Sequence, residues 1–392
     1  MINKIQKSDT FKTLFSSESV SEGHPDKICD IISDAILDEC LRQDPYSRVA
    51  CECYITKGVL IIGGEITTNA VVDYEQVARD VMKDIGYDNS RLGLNYKTCH
   101  IKVLLKKQSL EISKGVDNNG AGDQGMMYGY ACKETDNYMP LGIVLAHELV
   151  KRATALRKSG EFKHARPDMK AQVTINYSPL GNSLDSIVMS IQQDSKIQYK
   201  EFDRYVINNI IEPVVNEYGL SLKGVKVFIN PAGRWHLGGP AADVGLTGRK
   251  LIVDTYGGYA RHGGGSFSGK DATKVDRSAA YMARYIAKNI VAADLADVCE
   301  VQLAYVIGKP EPASVHIDTF GTNKVNEKKI LQAVFATFKL TPQDIIEQLD
   351  LRKPQYRALA AYGHIGRKDI DTNWEHLDKV EELKNFIKSS KN

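Results

Sequence analysis

Two glycine-rich stretches carry the residues best suited to binding phosphate. They read GGPAADVGLTGRK (238–250) and YGGYARHGGGSFSGKD (256–271), and ten of the chain's 31 glycines fall between positions 238 and 269. Glycine lets backbone N–H groups come close to an anion, and lysine and arginine add positive charge. The cations are Arg249, Lys250, Arg261, Lys270 and Lys274, and the interleaved carboxylates are Asp243, Asp271 and Asp276. This pattern predicts a polyphosphate cradle with carboxylates for Mg²⁺ rather than an ordinary solvated loop.

The second stretch also fits a phosphate-binding pattern of another kind. Residues 264–270 match GxxxxGK, the P-loop of phosphoryl-transferring NTPases. However, Asp271 stands where a P-loop needs a Ser or Thr hydroxyl for Mg²⁺, and the strand-like LIVDT (251–255) is separated from the motif by YGGYARHG. The pattern alone is therefore weak, and a P-loop ATPase or kinase stays an alternative.

Two further motifs lie closer to the amino terminus. SVSEGHPDK (19–27) puts His24 and Asp26 at a loop-to-helix junction, where a Pro-Asp pair is a normal helix start. GAGDQG (120–125) is another glycine loop and carries Asp123. The aspartates of both motifs are candidate metal ligands, although a helix start or a turn also explains each motif taken alone.

The elements that must position these motifs follow one order that recurs. The first copy has a helix at 26–42, strands at 48–56 and 59–66, a helix at 73–85 and a strand at 98–105. The second has a helix at 141–157, strands at 171–177 and 184–192, a helix at 202–218 and a strand at 225–229. The third, less complete, has a helix at 276–292, strands at 300–307 and 314–320, and a helix at 327–338. Apolar spacing predicts these helices and strands.

The repeat predicts an α/β fold of the α+β type. We expect three similar α/β domains with mixed sheets in a pseudo-threefold arrangement, with boundaries at 12–109, 120–237 and 238–377. Helices on one face of each sheet leave the other face open, and a partner subunit would cover it.

The composition excludes several classes of protein. The 51 Lys and Arg against 49 Asp and Glu give a net charge of +2, so sequence-blind attraction to nucleic acid or an anionic membrane has little basis. No apolar run reaches the roughly 18 residues of a membrane helix, and the first residues do not resemble a signal peptide. Seven cysteines without a CxxC pair suit reduced thiols. We expect a cytoplasmic protein with no nucleic-acid or membrane partner.

Four motifs together resemble one enzyme family. GHPDK, GAGDQG, GLTGRKLIVDTYGG and GGGSFSGKDATKVDRSAAY are similar to the S-adenosylmethionine synthetases, also called methionine adenosyltransferases, in that family's order from about Leu14 to about Trp374. The resemblance implies three α/β domains about a pseudo-threefold axis. It implies the reaction of ATP, L-methionine and water to S-adenosylmethionine, phosphate and diphosphate, with Mg²⁺ and K⁺ as cofactors. It also implies active sites shared between the subunits of a homodimer, and a homotetramer built as a dimer of dimers.

The resemblance also assigns roles to individual residues. The catalytic residues it implies are His24, Lys170, Arg249 and Lys270. The ATP-binding residues are those four together with Asp168, Arg234, Trp235, Asp243, Lys250 and Ser266. The methionine-binding residues are Glu65, Gln108, Asp123, Asp243 and Lys274. The metal ligands are Asp26 and Asp276 for Mg²⁺ and Glu52 for K⁺.

The sequence departs from the family pattern in a few places. Trp235 stands where the family often has Phe beside the adenine, which is a conservative exchange if the ring stacks. Val244 stands where some members have Cys, and Ser266 replaces a frequent Ala. The segment between Gln108 and Gly120 is shorter than in some relatives. These departures bear on lid geometry and affinity rather than on the reaction.

The implied reaction sets its own physical requirement. A neutral thioether must attack the 5′-carbon of ribose while the whole triphosphate leaves, so catalysis comes from alignment and from stabilising the negative charge that grows on the departing oxygen. This predicts a site rich in cations without a nucleophilic Ser or Cys. A nucleotide-binding protein without catalytic activity is the second alternative, and it would bind ATP without consuming it.

One segment has the features of a lid. KQSLEISKGVDNN (107–119) has no sustained apolar period and joins Gln108 to the GAGDQG loop. A segment anchored in the site at both ends is suited to admit substrates and then exclude water. An ordinary exposed connector is the alternative.

Overall fold

The structure, a computed structural model, describes residues 13–107, 120–178, 181–194 and 197–389. Its strands are β1 (Thr13–Val20), β2 (Arg48–Thr56), β3 (Val59–Thr67), β4 (Asp88–Asn89), β5 (Leu94–Asn95), β6 (His100–Lys106), β7 (Gly125–Cys132), β8 (Ala165–Tyr177), β9 (Ser183–Gln193), β10 (Lys226–Ile229), β11 (Gly245–Leu246), β12 (Val298–Tyr305) and β13 (Ser314–Asp318). Its α-helices are α1 (Pro25–Gln43), α2 (Tyr74–Ile85), α3 (Leu141–Lys158), α4 (Tyr199–Val206), α5 (Glu212–Glu217), α6 (Leu251–Asp254), α7 (Val275–Ala292), α8 (Glu327–Thr337), α9 (Pro342–Gln348) and α10 (Val380–Ser389).

Three sheets repeat one topology, as the sequence predicts. The strand orders are β11-β2-β3-β6, β1-β8-β9-β10 and β7-β12-β13. In each sheet the first three strands are antiparallel neighbours, and in the first two sheets a fourth strand adds in parallel. The expected α/β class with mixed sheets is confirmed.

The three units exchange strands in a cycle. β1 precedes the helix of the first unit but pairs with β8 of the second sheet, from Thr13 opposite Tyr177 to Val20 opposite Lys170. β7 precedes the helix of the second unit but pairs with β12 of the third sheet. β11 precedes the helix of the third unit and pairs with β2 of the first sheet. Each sheet is therefore closed at one edge by a strand from another unit.

One long helix comes before each hairpin and packs against it. α1 packs on β2, α3 on β8 and β1, and α7 on β7 and β12. The apolar faces of the first and third units merge into one core, and the central unit has a second core around α3, β8 and β9. In the described part of the chain, no helix is long and apolar enough to cross a membrane.

Several predicted elements differ from the observed ones. The strands β1 and β7 are absent from the sequence prediction, β8 begins six residues earlier than predicted, and LIVDT forms the helical turn α6 rather than a strand. The helix predicted at 202–218 is α4 and α5 joined through a π-helical turn at Ile207–Ile211. Pro213 lies just after that turn and has no N–H to donate, which accounts for the local break in the α-helical pattern.

Candidate active site

His24 begins the helix that carries the amino-terminal motif. It caps α1, its Nδ1 accepts the backbone N–H of Asp26 at 3.2 Å, and its side chain is 1% exposed. Burial, and then the positive charge of Lys250, lower the pKa of His24 to about 3. The imidazole is therefore neutral at pH 7. Because Nδ1 is the acceptor, the neutral ring carries its proton on Nε2, which makes Nε2 a donor.

Asp26 binds the first glycine stretch to α1. Its Oδ1 accepts the backbone N–H of Leu246 at 3.0 Å, its Oδ2 accepts a hydrogen bond from Lys250, and the guanidinium of Arg249 lies 3.9 Å from Oδ1. Burial would raise the pKa of Asp26, but the bonds from Lys250 and Leu246 outweigh it and the pKa lies below its usual value. An ionised carboxylate thus holds two cations at the start of α1.

Asp168 lies at the other side of this loop, on β8. Its Oδ2 accepts the backbone N–H of Gly239 at 2.8 Å, whereas Oδ1 has no hydrogen-bond partner among the described residues. Burial raises the pKa of Asp168 to about 6, while the Gly239 bond and the charge of Lys170 act in the opposite direction. The side chains of Lys170 and Asp243 are exposed nearby. A buried acceptor without a partner is unusual and is suited to a donor on a ligand.

These residues form one group. We call it the amino-terminal cluster, and its members are His24, Asp26, Asp168, Lys170, Asp243, Arg249 and Lys250. The charges of Lys170 and Lys250 act on both His24 and Asp168, which shows that the members share one electrostatic environment.

Arg234 and Trp235 lie on the segment that leads into the first glycine stretch. The Arg234 guanidinium lies 4.5 Å from the centre of the Tyr199 ring. The Trp235 indole N–H donates to the carbonyl of Leu237 at 2.7 Å, and the ring is half-buried. The polar atom of the indole is therefore occupied, which leaves the ring face for stacking.

The second glycine stretch ends in another charged group. We call it the carboxy-terminal cluster, and its members are Lys270, Asp271, Lys274 and Asp276. Lys270 Nζ lies 2.6 Å from Asp276 Oδ2, and Lys274 pairs with Asp271. Asp271 is buried and accepts the backbone N–H of Val49 at 2.7 Å, so this carboxylate fixes the loop to β2. Lys270 and Asp276 keep about a fifth of their side-chain surface exposed (22% and 19%).

The GAGDQG loop reaches the same cluster. A Cβ on Gly125 would lie 3.6 Å from Asp276 Oδ1, and a Cβ on Gly265 would lie 2.2 Å from Asp276 Cγ. The carboxylate therefore lies against backbone from both glycine loops, and only glycine fits at position 265. Asp123 is exposed, and its Oδ1 accepts the backbone N–H of Gln124.

Glu52 and Glu65 lie on the open face of the first sheet. Ala50 is opposite Glu65 and Glu52 is opposite Gly63 in the β2–β3 pairing, and both carboxylates are exposed. Gln108 and the lid predicted around it lie outside the described residues.

The two clusters are separate in one chain. A Cβ on Gly248 would lie 2.5 Å from the Cβ of Ser266, so the two glycine stretches touch. Within the described ranges, however, no hydrogen bond or ion pair joins a side chain of the amino-terminal cluster to one of the carboxy-terminal cluster. In the same ranges, no group of three or more His, Cys, Asp or Glu side chains could hold a metal ion. The paired magnesium role of these carboxylates stays a prediction.

The P-loop alternative does not fit the backbone. Lys270 forms an antiparallel bridge with Ala50, and α7 begins only at Val275. A P-loop instead runs from a strand directly into a helix through the glycine loop. The segment before this motif is the helical turn α6 followed by irregular backbone.

The sequence prediction named Asp26 but missed that it begins a row of four buried aspartates on α1. Asp26, Asp30, Asp34 and Asp38 recur every fourth residue and are all buried. Positions four apart share one face of a helix, so this spacing was the available signal. Lys27 is also buried, between Asp30 (2.9 Å) and Asp254, and therefore does not belong to the candidate site.

Fold and site together define a class of protein: a three-unit α/β enzyme with clustered cations and carboxylates on glycine loops, as polyphosphate substrates require. Three models of S-adenosylmethionine synthetase domains match the chain in succession, the N-terminal domain at 12–110, the central domain at 118–235 and the C-terminal domain at 237–376. The chain belongs to the S-adenosylmethionine synthetase family. The activity expected from the sequence, methionine adenosyltransferase, is confirmed.

Individual relatives agree over nearly the whole length. The S-adenosylmethionine synthase of Mesoplasma florum is 55% identical over 378 residues, which cover 95% of this chain and all of that protein. The synthase of Mycoplasma capricolum is 55% identical over 384 residues (97% and 98%), and that of Fusobacterium nucleatum is 53% identical over 380 residues (96% and 98%).

Proposed function

We propose that this chain transfers the adenosyl group of ATP to the sulfur of L-methionine and hydrolyses the retained triphosphate to phosphate and diphosphate. The observation that carries the proposal is the amino-terminal cluster, where the neutral donor His24 lies among Lys170, Arg249 and Lys250. The thioether needs no base, so the site must stabilise the leaving oxygen. A preorganised donor and fixed positive charges do this without reorganisation during the reaction.

His24 donates from Nε2 to the departing 5′-oxygen. Lys170 and Arg249 stabilise the negative charge that develops on the triphosphate. Lys250, which is hydrogen-bonded to Asp26, adds a third positive charge. Because His24 is neutral, it stabilises the oxygen by a hydrogen bond and supplies no net charge, so the cations carry the electrostatic part.

The remaining ATP contacts belong to Asp168, Arg234, Trp235, Asp243, Ser266 and Lys270. Oδ1 of Asp168, which has no hydrogen-bond partner in the described ranges, accepts a donor from the nucleoside, and Trp235 stacks on the adenine. The methionine contacts are Glu65, Gln108, Asp123, Asp243 and Lys274. The three carboxylates and the lysine match the charged ends of an amino acid, and Gln108 adds a neutral amide.

Metal binding fits two carboxylates, one of which bonds to each glycine stretch. Asp26 and Asp276 are the candidate Mg²⁺ ligands, and each now pairs with one lysine. Mg²⁺ commonly takes one or two carboxylates and completes its coordination with substrate phosphates and water, so few protein ligands are needed. When bound, Mg²⁺ neutralises phosphate charge. Glu52 is the candidate K⁺ ligand.

We infer that each active site lies between two subunits of a homodimer, and that dimers pair into a homotetramer. Two observations support the shared site. Among the described residues, no ion pair joins the two charged clusters, and the open sheet faces expose apolar side chains such as Leu104 and Met126. We retain domain boundaries at 12–109, 120–237 and 238–377, a cytoplasmic location, and the absence of nucleic-acid and membrane partners as parts of the same proposal.

One assay tests the reaction. The protein is incubated with ATP, methionine, Mg²⁺ and K⁺, and the products are identified. We expect S-adenosylmethionine, phosphate and diphosphate in equal amounts and no ADP. Formation of ADP without methionine would indicate an ATPase or kinase, and unchanged ATP would indicate a binding protein.

A further inference from the structure

We propose that Asp34 and Arg277 are positioning residues that hold the phosphate-binding Lys270 and the carboxylate of Asp276 in register. This inference rests on the proposed role of Lys270 in binding the triphosphate. Asp34 and Arg277 belong to neither cluster of the candidate site: both side chains are at most 1% exposed, and they bond to each other and to the backbone of residues 269 and 270.

The two residues form a bidentate ion pair between helices. Arg277 Nη1 donates to Asp34 Oδ1 at 2.7 Å and Nη2 donates to Oδ2 at 2.8 Å, which joins α1 to the first turn of α7. The guanidinium also lies 4.1 Å from the centre of the Tyr356 ring, and its Nε donates to the hydroxyl of Tyr281 at 3.0 Å. The guanidinium is therefore fixed in direction as well as in place.

The ion pair also forms hydrogen bonds with the backbone of Gly269 and Lys270. Asp34 Oδ1 accepts the N–H of Gly269 at 2.8 Å, and Arg277 Nη1 donates to the carbonyl of Lys270 at 3.1 Å. On the opposite side, Cys51 donates its N–H to the Gly269 carbonyl at 2.9 Å. The peptide that leads into Lys270 is thus held by α1, α7 and β2 together, and the lysine side chain starts from a fixed point.

The same pair orients Asp276. Asp276 and Arg277 are consecutive in the first turn of α7, and successive side chains on a helix point about 100° apart. When Arg277 is locked inward on Asp34, Asp276 faces the glycine stretch, where its Oδ2 meets Lys270 Nζ at 2.6 Å. The buried Asp34–Arg277 ion pair therefore positions both Lys270 and Asp276.

A purely stabilising role explains this arrangement less well. A buried ion pair gains little over well-packed apolar side chains, because desolvation offsets the attraction. What the guanidinium and carboxylate provide, and apolar groups do not, is directed bonds to the backbone of Gly269 and Lys270.

The test compares two arginines of α7. Arg284 lies seven residues after Arg277, is equally buried, and pairs with Glu375 through Nε at 3.1 Å and Nη2 at 2.9 Å, but it holds the backbone of residues 130, 137 and 138 instead of the glycine stretch. We would measure hydrolysis of inorganic tripolyphosphate by the full-length protein, its KM, and the midpoint of thermal unfolding for Arg277→Lys and Arg284→Lys.

We expect both variants to lose stability, and only Arg277→Lys to raise the KM for tripolyphosphate. The rise should lie between about tenfold and 10²-fold, because a misplacement of about 1 Å can cost up to about 10²-fold. An equal KM in the two variants would overturn the inference. If Arg277→Lys does not fold, Asp34→Asn gives the same comparison, because Asn keeps the size and the acceptor for Gly269 but loses the ion pair.

A third variant separates this inference from the proposed function. Lys270→Met should itself abolish tripolyphosphate hydrolysis. If that variant keeps the activity, the role of Lys270 is wrong. If Lys270→Met is inactive while Arg277→Lys matches Arg284→Lys, the function stands and only the positioning role is wrong.

Discussion

At the scale of single residues, the chemistry depends on how a side chain is held rather than on its type. His24 is a neutral donor because burial lowers its pKa to about 3 and because Nδ1 is occupied by the N–H of Asp26. A solvent-exposed histidine would be partly charged near neutral pH, with no fixed tautomer. The helix start thus determines the direction in which this imidazole donates.

His24→Ala tests that donor. We expect kcat for S-adenosylmethionine formation to fall by roughly 10² to 10³, as for loss of one preorganised donor, while added tripolyphosphate is still hydrolysed because the cations remain. The rates of S-adenosylmethionine formation and of tripolyphosphate hydrolysis are measured separately in quenched reactions and compared. If both steps fall equally, His24 supports the fold or general phosphate binding instead.

The proposed role of Glu52 is to bind K⁺. It is an exposed carboxylate on β2, opposite Gly63, and we expect Glu52→Gln to lose activation by K⁺ while methionine affinity is unchanged. Glu65→Gln, on the same face, is the matched control and should raise the KM for methionine without changing the K⁺ response. Full K⁺ activation in Glu52→Gln would show that the carboxylate is an ordinary surface residue.

At the scale of elements, α1 organises the molecule through its row of aspartates. Asp26 and Asp30 bind the first glycine stretch, the latter through the N–H of Gly248 at 2.8 Å, and Asp34 binds the second. Asp38 accepts the backbone N–H groups of residues 355–357. One helix therefore fixes loops more than 200 residues away in sequence, and their geometry depends on its integrity.

Gly269 shows how tightly the second loop is fixed. Its φ is +79°, and a Cβ would lie 1.9 Å from the carbonyl oxygen of Cys51. Gly308 has a similar φ of +76° with open space around it. We expect Gly308→Ala to cost roughly 1–2 kcal/mol of unfolding free energy from backbone strain alone, and Gly269→Ala about 2 kcal/mol more from the clash. Equal costs in chemical denaturation would mean that the loop can move away from β2.

Buried histidine links α3 to stability against acid. His147 Nδ1 is bonded to Ser19 Oγ at 2.7 Å, and burial, then the charge of Arg367, lower its pKa to about 3. Between pH 6.5 and 3 the unfolded chain binds a proton that the folded chain does not, so this contribution to stability is present above pH 6.5 and is lost as pH falls.

We expect His147→Gln to reduce the loss of unfolding free energy between pH 7 and pH 5 by about 2 kcal/mol relative to the unmodified protein. His100→Gln, at an exposed position on β6, is the control and should leave the pH dependence unchanged. Urea denaturation at the two pH values measures the difference. If the unfolding free energy changes by the same amount between pH 7 and pH 5 in all three proteins, His147 becomes protonated within the folded state.

At the scale of the whole molecule, the cyclic exchange of strands makes the three units interdependent. β1, β7 and β11 each complete a sheet that belongs to another unit. None of the three sheets is therefore formed by one continuous stretch of chain. The two charged clusters arise at the seams of this arrangement, where the glycine stretches meet α1 and α7.

Mixing two inactive variants tests whether sites are shared between subunits. His24→Ala disables the amino-terminal cluster and Lys270→Met disables the carboxy-terminal cluster. If each site takes one cluster from each subunit, random pairing gives half heterodimers with one intact site of two, and we expect about a quarter of the normal activity. Co-expressed variants with two purification tags allow the measurement. No recovery of activity would mean that both clusters serve a site within one chain.

The sequence by itself determined the local features. The start of α1 followed from the Pro-Asp pair and an apolar helical period, and strands β2 and β3 followed from their apolar spacing. The phosphate-binding stretches followed from glycine among cations. Each of these depends on neighbours within a few residues. The family resemblance rested on the same short motifs. The strand exchange, the partners of the α1 aspartates and the division into two clusters were decided only by the tertiary structure. They join residues such as Thr13 and Tyr177, or Asp34 and Arg277, and the free energy that selects such distant partners comes from burial and hydrogen bonding in the assembled core, which no local pattern encodes.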